Sequence, residues 1–86
     1  MKSVLMMIQE TCPYCRQALS MMEQLKKEEP AFETVEVRIV DENRDKALAD
    51  SLDYWYVPSF FIDGEKVHEG VPTMEKVRRV FERALK

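Results

Sequence analysis

Cys12 and Cys15 are the residues of this 86-residue chain whose type and spacing could carry chemistry, and they are its two cysteines. Side chains three positions apart on a helix have Cβ atoms about 5–6 Å apart, close to the separation that a disulfide requires. In a reducing compartment, a C-x-x-C pair indicates redox or metal-binding chemistry, because stable structural disulfides are rare there. The pair therefore predicts either a dithiol that cycles through a disulfide or part of a metal site.

Two structural alternatives to a redox dithiol can be weighed from the same residues. A disulfide that served only as a covalent staple would close a very short ring and contribute only about 2 kcal/mol. A structural zinc ion needs four ligands, whereas the chain offers two cysteines and one histidine, His68, which lies on a different predicted element. We therefore expect no metal site, and we interpret His68 as an ordinary strand residue.

Composition limits the classes of protein that can carry this pair. The net charge of −3 disfavours binding to duplex nucleic acid, which requires a surplus of basic side chains. The longest apolar run near the N-terminus, Val4–Ile8, is shorter than the roughly 7–15 residues of a signal-peptide core and the roughly 20 of a membrane span. We expect a cytoplasmic protein with no membrane association, a single domain over residues 1–86 and a monomeric state.

The elements that must position the cysteines follow from the spacing of apolar residues. Val4–Ile8 is an unbroken apolar run, which is typical of a strand covered on both faces. After the cysteines, apolar residues recur with helical spacing until Pro30, and Pro13 suits the first position of that helix because its missing N–H costs nothing there. Cys12 therefore lies at the N-terminus of a helix, and Cys15 lies one turn inside that helix.

This placement predicts different roles for the two sulfurs. Unpaired backbone N–H groups and the positive end of the helix dipole favour a thiolate at Cys12. The neighbouring charges are mixed, since Glu10 opposes ionisation and Arg16 favours it, so we expect the helix terminus to dominate. Cys15 is more covered and can attack whatever becomes attached to Cys12. Cys12 is therefore the predicted nucleophile and Cys15 the predicted resolving thiol.

The remaining elements complete an α/β pattern. The sequence predicts a strand over residues 35–39, a short helix within residues 41–52, a hairpin of strands 60–62 and 66–68 around a D-G turn, and a last helix over residues 72–85. The order β-α-β-α-β-β-α predicts a central mixed four-stranded sheet flanked by helices. Its first two strands should be parallel, with a right-handed crossover between them.

The hexapeptide E-T-C-P-Y-C at residues 10–15, directly after a strand and opening a helix, resembles the active site of glutaredoxins, which have the thioredoxin fold. The C-P-Y-C form is characteristic of that family, and the resemblance extends over essentially the whole chain. Tyr56, Val57 and Pro58, followed by a predicted strand and turn, match a second landmark, the T-V-P segment. The resemblance implies a cis peptide between Val57 and Pro58 that faces the cysteines and lets the Val57 backbone pair with the substrate.

The resemblance also implies an activity, that of a small thiol–disulfide oxidoreductase reducing protein disulfides or glutathione mixed disulfides through Cys12 and Cys15. It implies no tightly bound cofactor, a redox-active Cys12–Cys15 disulfide, and recycling by glutathione as co-substrate or by a flavoprotein reductase. The residues expected to contact the substrate or glutathione are Thr11, Pro13, Tyr14, Tyr56, Val57 and Pro58. The alternative from another class is a carrier in which two copies bridge an iron–sulfur cluster through their Cys12 thiolates.

Three departures from the glutaredoxin pattern bear on the electron source. Gln9 stands where the family often has a Lys that holds a glutathione carboxylate, and Tyr56 replaces the Thr of T-V-P. Residues 68–73 replace a G-G-x-D-D segment, and Glu69 there would present the wrong charge to anionic glutathione. A single Gly before the last helix is more similar to thioredoxins and to redoxins reduced by a flavoprotein reductase. We therefore expect weak glutathione binding.

The aromatic triplet Tyr54, Trp55 and Tyr56 allows two interpretations. One or two of these rings are expected to pack on the sheet. The functional alternative is an apolar wall beside Cys12 that contacts a protein partner, since Tyr and Trp are enriched at protein interfaces. Two further groups are expected to have structural roles only. The methionines are expected to pack in the core, and they are Met6, Met7, Met21 and Met22. The arginines of the last helix are expected to form a solvated face, and they are Arg78, Arg79 and Arg83.

Overall fold

A computed structural model describes residues 1–86. The helices and strands are β1 (Val4–Ile8), α1 (Pro13–Glu28), β2 (Val37–Asp41), α2 (Lys46–Asp50), β3 (Ser59–Ile62), β4 (Glu65–Glu69) and α3 (Met74–Leu85), with a short 3₁₀ helix at Pro30–Thr34. The strands lie in the order β2-β1-β3-β4, with β1 and β2 parallel and the other neighbours antiparallel. The predicted α/β fold with a mixed four-stranded sheet is confirmed.

The main hydrophobic core lies between one face of the sheet and the helices α1 and α3. Alternate side chains of β1 and β3 point into it, together with the apolar sides of both helices. The rings of Phe32, in the 3₁₀ helix, and Phe81, in α3, stack with their centroids 5.2 Å apart. The other buried members of this cluster are Val4, Met6, Ala18, Met22, Leu25, Val35, Phe60, Ile62, Val77, Val80 and Ala84. Because β1 and α1 are both anchored here, the loop that carries Cys12 is held at both ends.

The second strand starts later in the chain than predicted. It begins at Val37 rather than at residue 35, because the 3₁₀ helix and its C-cap, Val35, occupy the chain up to that point. β2 is an edge strand of the sheet, so its side chains are incompletely covered and Ile39 is about half exposed. The apolar alternation therefore predicted the strand but not its first residue.

The helix predicted within residues 41–52 is much shorter in the structure. Asp41 is the last residue of β2 and pairs with Ile8 of β1. The helix α2 starts after Asp45, whose side chain accepts the Leu48 backbone N–H at 3.1 Å. None of the residues of α2 is buried. Most helical stability in proteins comes from packing of an apolar face, so little supports a longer helix here.

The β3–β4 hairpin is confirmed. Asp63 and Gly64 form its turn with φ values of 52° and 81°. Positive φ at both central residues is what a tight two-residue hairpin turn requires, and glycine adopts it without steric cost. The last helix, α3, starts slightly later than predicted because Thr73 is its N-cap, with its side-chain oxygen accepting a backbone N–H of the first turn.

The expected structural groups are placed as predicted, apart from one residue of the last helix. Met6, Met7 and Met22 are buried and Met21 packs against the core. The three arginines of α3 form surface ion pairs with glutamates. The helical spacing of the apolar residues predicts one apolar stripe that ends at Leu85, but Leu85 is exposed in the last turn of the helix. None of the helices combines the length and apolar character needed to cross a membrane.

Candidate active site

Cys12 is the N-cap of α1, as the sequence predicts. Its backbone is extended, Pro13 is the first helical residue, and its Sγ accepts the Cys15 backbone N–H at 3.1 Å. The first N–H groups of a helix have no intrahelical partner, and the helix dipole places partial positive charge there. The sulfur of Cys12 therefore lies where the start of α1 can stabilise a negative charge.

Cys15 lies one turn further on and is buried, with only 1% of its surface exposed, whereas Cys12 is partly accessible. Burial raises the pKa of the Cys15 thiol to about 12, and the hydrogen bond with the Cys12 side chain acts in the same direction. The charge of Glu42 raises the pKa of Cys15 further. At neutral pH Cys15 is therefore a protonated thiol beneath a more accessible sulfur.

Val57 and Pro58 form the wall opposite the cysteines. The peptide between them is cis, and the Val57 carbonyl oxygen lies 3.7 Å from Cys12 Sγ, so the thiol can donate to it. Pro58 is buried, and its carbonyl accepts the backbone N–H of Gly70 at 2.9 Å. The predicted cis peptide facing the cysteines is confirmed, and the end of β4 supports it from behind.

Gln9, Glu42 and Tyr54 form a polar network beside the cysteines that the sequence did not reveal. The Gln9 carbonyl accepts the Cys12 N–H at 3.2 Å, and the Gln9 side-chain amide donates to Glu42. The Tyr54 hydroxyl donates to the other oxygen of Glu42 at 2.7 Å. Burial raises the pKa of Tyr54, and its hydrogen bond to Glu42 raises it further.

A topological signal could have identified Glu42. It directly follows β2, and the loop that carries Cys12 directly follows β1. These two strands are parallel, so their carboxyl ends lie at the same edge of the sheet. Polar residues just after two adjacent parallel strands are therefore candidates for a shared site.

Glu69, which is expected from the sequence to present the wrong charge to glutathione, is bonded within the chain. One oxygen of its carboxylate accepts the backbone N–H groups of Trp55 and Tyr56, the latter at 2.8 Å. The other oxygen pairs with the Lys66 ammonium at 2.7 Å. The Lys66 hydrogen bond and these backbone hydrogen bonds lower the pKa of Glu69 to about 2. Its charge is satisfied inside the protein rather than turned toward a ligand.

In the aromatic triplet of residues 54–56, one ring packs on the sheet and the other two are exposed, so each of the two interpretations applies to part of it. The Tyr54 ring packs edge-on against Phe61, with centroids 5.9 Å apart. Trp55 and Tyr56 are 85% and 70% exposed, and Tyr14, in the cysteine motif, is also exposed. One ring is therefore part of the packing, and two rings remain free on the segment that leads to Val57.

The other residues singled out by the sequence are also placed by the structure. Thr11 and Pro13 are exposed on either side of Cys12. His68 is in β4, partly buried, with Nε2 3.1 Å from the Gly70 carbonyl oxygen, and burial lowers its pKa. No three or more His, Cys, Asp or Glu side chains come together in a group that could hold a metal ion.

Comparison with known proteins adds an independent line of observation. A family model described as Thioredoxin domain matches residues 2–82. A search of curated proteins finds no match to the chain. Among solved structures, a thioredoxin from Fasciola hepatica aligns with a TM-score of 0.69 and 26% identity, over 96% of this chain and 80% of that one.

Two further structures show the same fold. A thioredoxin from Malassezia sympodialis gives a TM-score of 0.74 at 19% identity, over 99% of this chain and 76% of that one. A protein disulfide oxidoreductase from Aeropyrum pernix gives a TM-score of 0.66 at 26% identity, over 98% of this chain and 38% of that one. These similarities cover nearly all of the chain, including the start of α1 with its two cysteines and the facing segment with Val57 and Pro58.

Proposed function

The chain belongs to the thioredoxin domain family, and from this membership we propose that it is a thiol–disulfide oxidoreductase acting through Cys12 and Cys15. One observation carries the proposal. The partly accessible sulfur of Cys12 accepts the Cys15 N–H at the start of α1, while the Cys15 thiol is buried directly behind it. A structural pair would not need this asymmetry, whereas a nucleophile and a resolving thiol do.

The proposed reaction has two displacement steps. The Cys12 thiolate attacks one sulfur of a substrate disulfide, which forms a Cys12–substrate mixed disulfide and releases the other substrate sulfur as a thiolate. Cys15 then loses its proton to solvent or to the released thiolate and attacks Cys12 Sγ. The Cys12–Cys15 disulfide forms, the second substrate thiol leaves, and two electrons have passed from the protein to the substrate.

The facing wall supports a substrate bound through its backbone. The Val57 carbonyl lies beside Cys12, and the Val57 N–H makes no hydrogen bond within the chain. An extended peptide next to a scissile disulfide could pair with these groups, as an added strand does at a sheet edge. We therefore propose disulfide-containing proteins as the main substrates, with Tyr14, Trp55 and Tyr56 as contact residues.

We further propose that a flavoprotein reductase of the thioredoxin type reduces the Cys12–Cys15 disulfide at least as well as glutathione does. Position 9 carries no cation, and its amide is already bound to Glu42. A single glycine, Gly70, precedes α3 where glutaredoxins have an acidic pair for glutathione. The protein would act as a monomer without a tightly bound cofactor.

The test measures NADPH consumption with a disulfide-containing protein such as insulin as substrate. One reaction contains a thioredoxin reductase, and the other contains glutathione with glutathione reductase. We expect turnover with the reductase to equal or exceed turnover with glutathione, and no turnover by the Cys12→Ser control. Saturation at micromolar glutathione with no response to thioredoxin reductase would establish an ordinary glutaredoxin instead. Absence of turnover in both systems would refute the oxidoreductase assignment.

A further inference from the structure

The segment that carries Trp55 and Tyr56 is not held by its own side chains. Both rings are largely exposed, and the backbone there belongs to no helix or strand. The neighbouring residues are anchored on each side, Tyr54 by its packing and by Glu42, and Pro58 by burial. An irregular, exposed segment between two anchors samples many conformations unless its backbone is tied down.

Two side chains tie this backbone down. The Ser59 hydroxyl, at the start of β3, donates to the Tyr56 carbonyl oxygen. The second tie, Glu69, comes from a distant part of the chain and is the one that holds the N–H groups of both residues. It is the last residue of β4, and a single carboxylate oxygen accepts the adjacent N–H groups of Trp55 and Tyr56. Two consecutive N–H groups converging on one oxygen orient both peptide planes. Hydrogen bonds to an ionised acceptor are roughly twice as strong as neutral ones. The Lys66 ammonium, 2.7 Å from the other oxygen, keeps the carboxylate aimed at the segment.

We infer that Glu69 is a positioning residue for protein substrates, holding the Trp55–Tyr56 backbone so that these rings and Val57 form a preformed docking edge beside Cys12. The inference rests on the proposed oxidoreductase function. A docking edge that is already ordered spares the substrate the entropy cost of ordering it. A small disulfide needs only the sulfur of Cys12 for the exchange step, whereas a protein substrate also contacts the surface around that sulfur. Loss of Glu69 should therefore affect protein substrates selectively.

The chain offers a direct spectroscopic reporter, because Trp55 is its one tryptophan. Steady-state fluorescence anisotropy of Trp55 measures the mobility of the segment without reference to activity. The variants are Glu69→Ala, Glu69→Gln and the matched control Glu65→Gln. Glu65 is on the same strand but pairs with Arg83 of α3, away from the cysteines. Activity is measured with insulin and with bis(2-hydroxyethyl) disulfide, a small substrate.

For Glu69→Ala we expect a lower Trp55 anisotropy and a KM for insulin raised about tenfold, because insulin must then order a segment that Glu69 no longer holds. Turnover of the small disulfide and kcat for insulin should stay within about twofold of wild type. Glu69→Gln retains a carbonyl oxygen for the two N–H groups but loses the pairing with Lys66, so it should be intermediate. Glu65→Gln should match wild type in every measurement.

The outcomes separate this inference from the function on which it rests. An active wild-type protein whose Glu69→Ala variant keeps its anisotropy and its insulin KM would overturn the inference alone. A parallel fall of both activities together with the melting temperature would also overturn it, because a merely structural role produces that pattern. A wild-type protein that reduces neither disulfide would overturn the function and the inference together.

Discussion

The cysteine-bearing wall of the site is the first turn of a 16-residue helix, whereas the facing wall, residues 54–58, is irregular backbone. The first wall is organised locally, since the Cys12 sulfur and the Cys15 N–H that it accepts are three residues apart. The second wall is held by the Ser59 hydroxyl, which donates to the Tyr56 carbonyl oxygen, and by two carboxylates from elsewhere in the chain, Glu42 after β2 and Glu69 at the end of β4.

Under the proposed function, this difference separates the residues that carry out the disulfide exchange from the residues that contact protein substrates. The geometry of the sulfurs depends on a helix whose inner side is part of the core, so few substitutions elsewhere can change it. The geometry of residues 54–58 depends on a handful of side-chain hydrogen bonds, and single substitutions can change it. Changes to the helical wall should therefore affect every substrate, and changes to the irregular wall should discriminate between substrates.

The largest expected effect is on the helical wall. Cys12→Ser should abolish reduction of all disulfides, because no other accessible thiol can start the exchange. Cys15→Ser should retain the first step and accumulate mixed disulfides with protein substrates, since the resolving thiol is gone. Mass spectrometry of the non-reduced variants measures both outcomes. If Cys15→Ser turned over protein disulfides at the wild-type rate, the division of roles between the two cysteines would be wrong.

A smaller but still large effect concerns the pH dependence of Cys15. Its pKa of about 12 lies above the ordinary value of 9.0, so its thiolate forms only as the pH rises well beyond that of a free thiol. At pH 9 the thiolate fraction, and with it the alkylation rate, should be at least about tenfold below that of an unperturbed thiol, even where the Cys12 side chain no longer adds to the shift. Burial, the largest cause of the shift, persists in Cys12→Ser, where iodoacetamide labelling across pH isolates Cys15.

The labelling experiment has its own internal control. In the wild-type protein, Cys12 should be alkylated first at every pH, because it is the more accessible sulfur. An unfolded sample in denaturant should show equal reactivity of the two thiols. Preferential labelling of Cys15 in the folded protein would reverse the assignment of nucleophile and resolving thiol.

The smallest expected effect concerns the KM for glutathione and the pair Gln9 and Glu42, which lies between the helical wall and the irregular wall. Gln9 donates to Glu42, so the ammonium of Gln9→Lys should pair with that carboxylate rather than reach a glutathione carboxylate. The single substitution should leave the KM for glutathione within about twofold. Gln9→Lys combined with Glu42→Gln should lower this KM about tenfold, because the cation is then free for a charge-assisted contact.

The coupled glutathione reductase assay measures this pair of variants, and Glu42→Gln alone is the control for loss of the carboxylate. Turnover with thioredoxin reductase should change little in the Gln9→Lys single variant. An equal gain from the single and the double substitution would mean that Glu42 does not govern position 9. The network between the walls would then have no role in the choice of reductant.

Part of this protein could be predicted from the sequence because it depends on local rules. The C-x-x-C spacing, Pro13 at the first helical position and the change from an unbroken apolar run to helical periodicity placed both sulfurs at the start of α1. The D-G turn placed the hairpin in the same way. Interactions between residues a few positions apart leave a pattern in the chain.

Only the tertiary structure determines which carboxylates lie at the site and which groups of the chain they bind. The sequence suggested that Glu69 would confront a ligand, but the register of β4 beside β3 brings its carboxylate to the Trp55 and Tyr56 N–H groups. Glu42 gave no signal, although the parallel pairing of β1 and β2 brings it to Gln9 across 33 positions. Such contacts follow from how strands align in space, and no periodicity along the chain encodes the partner of a particular side chain.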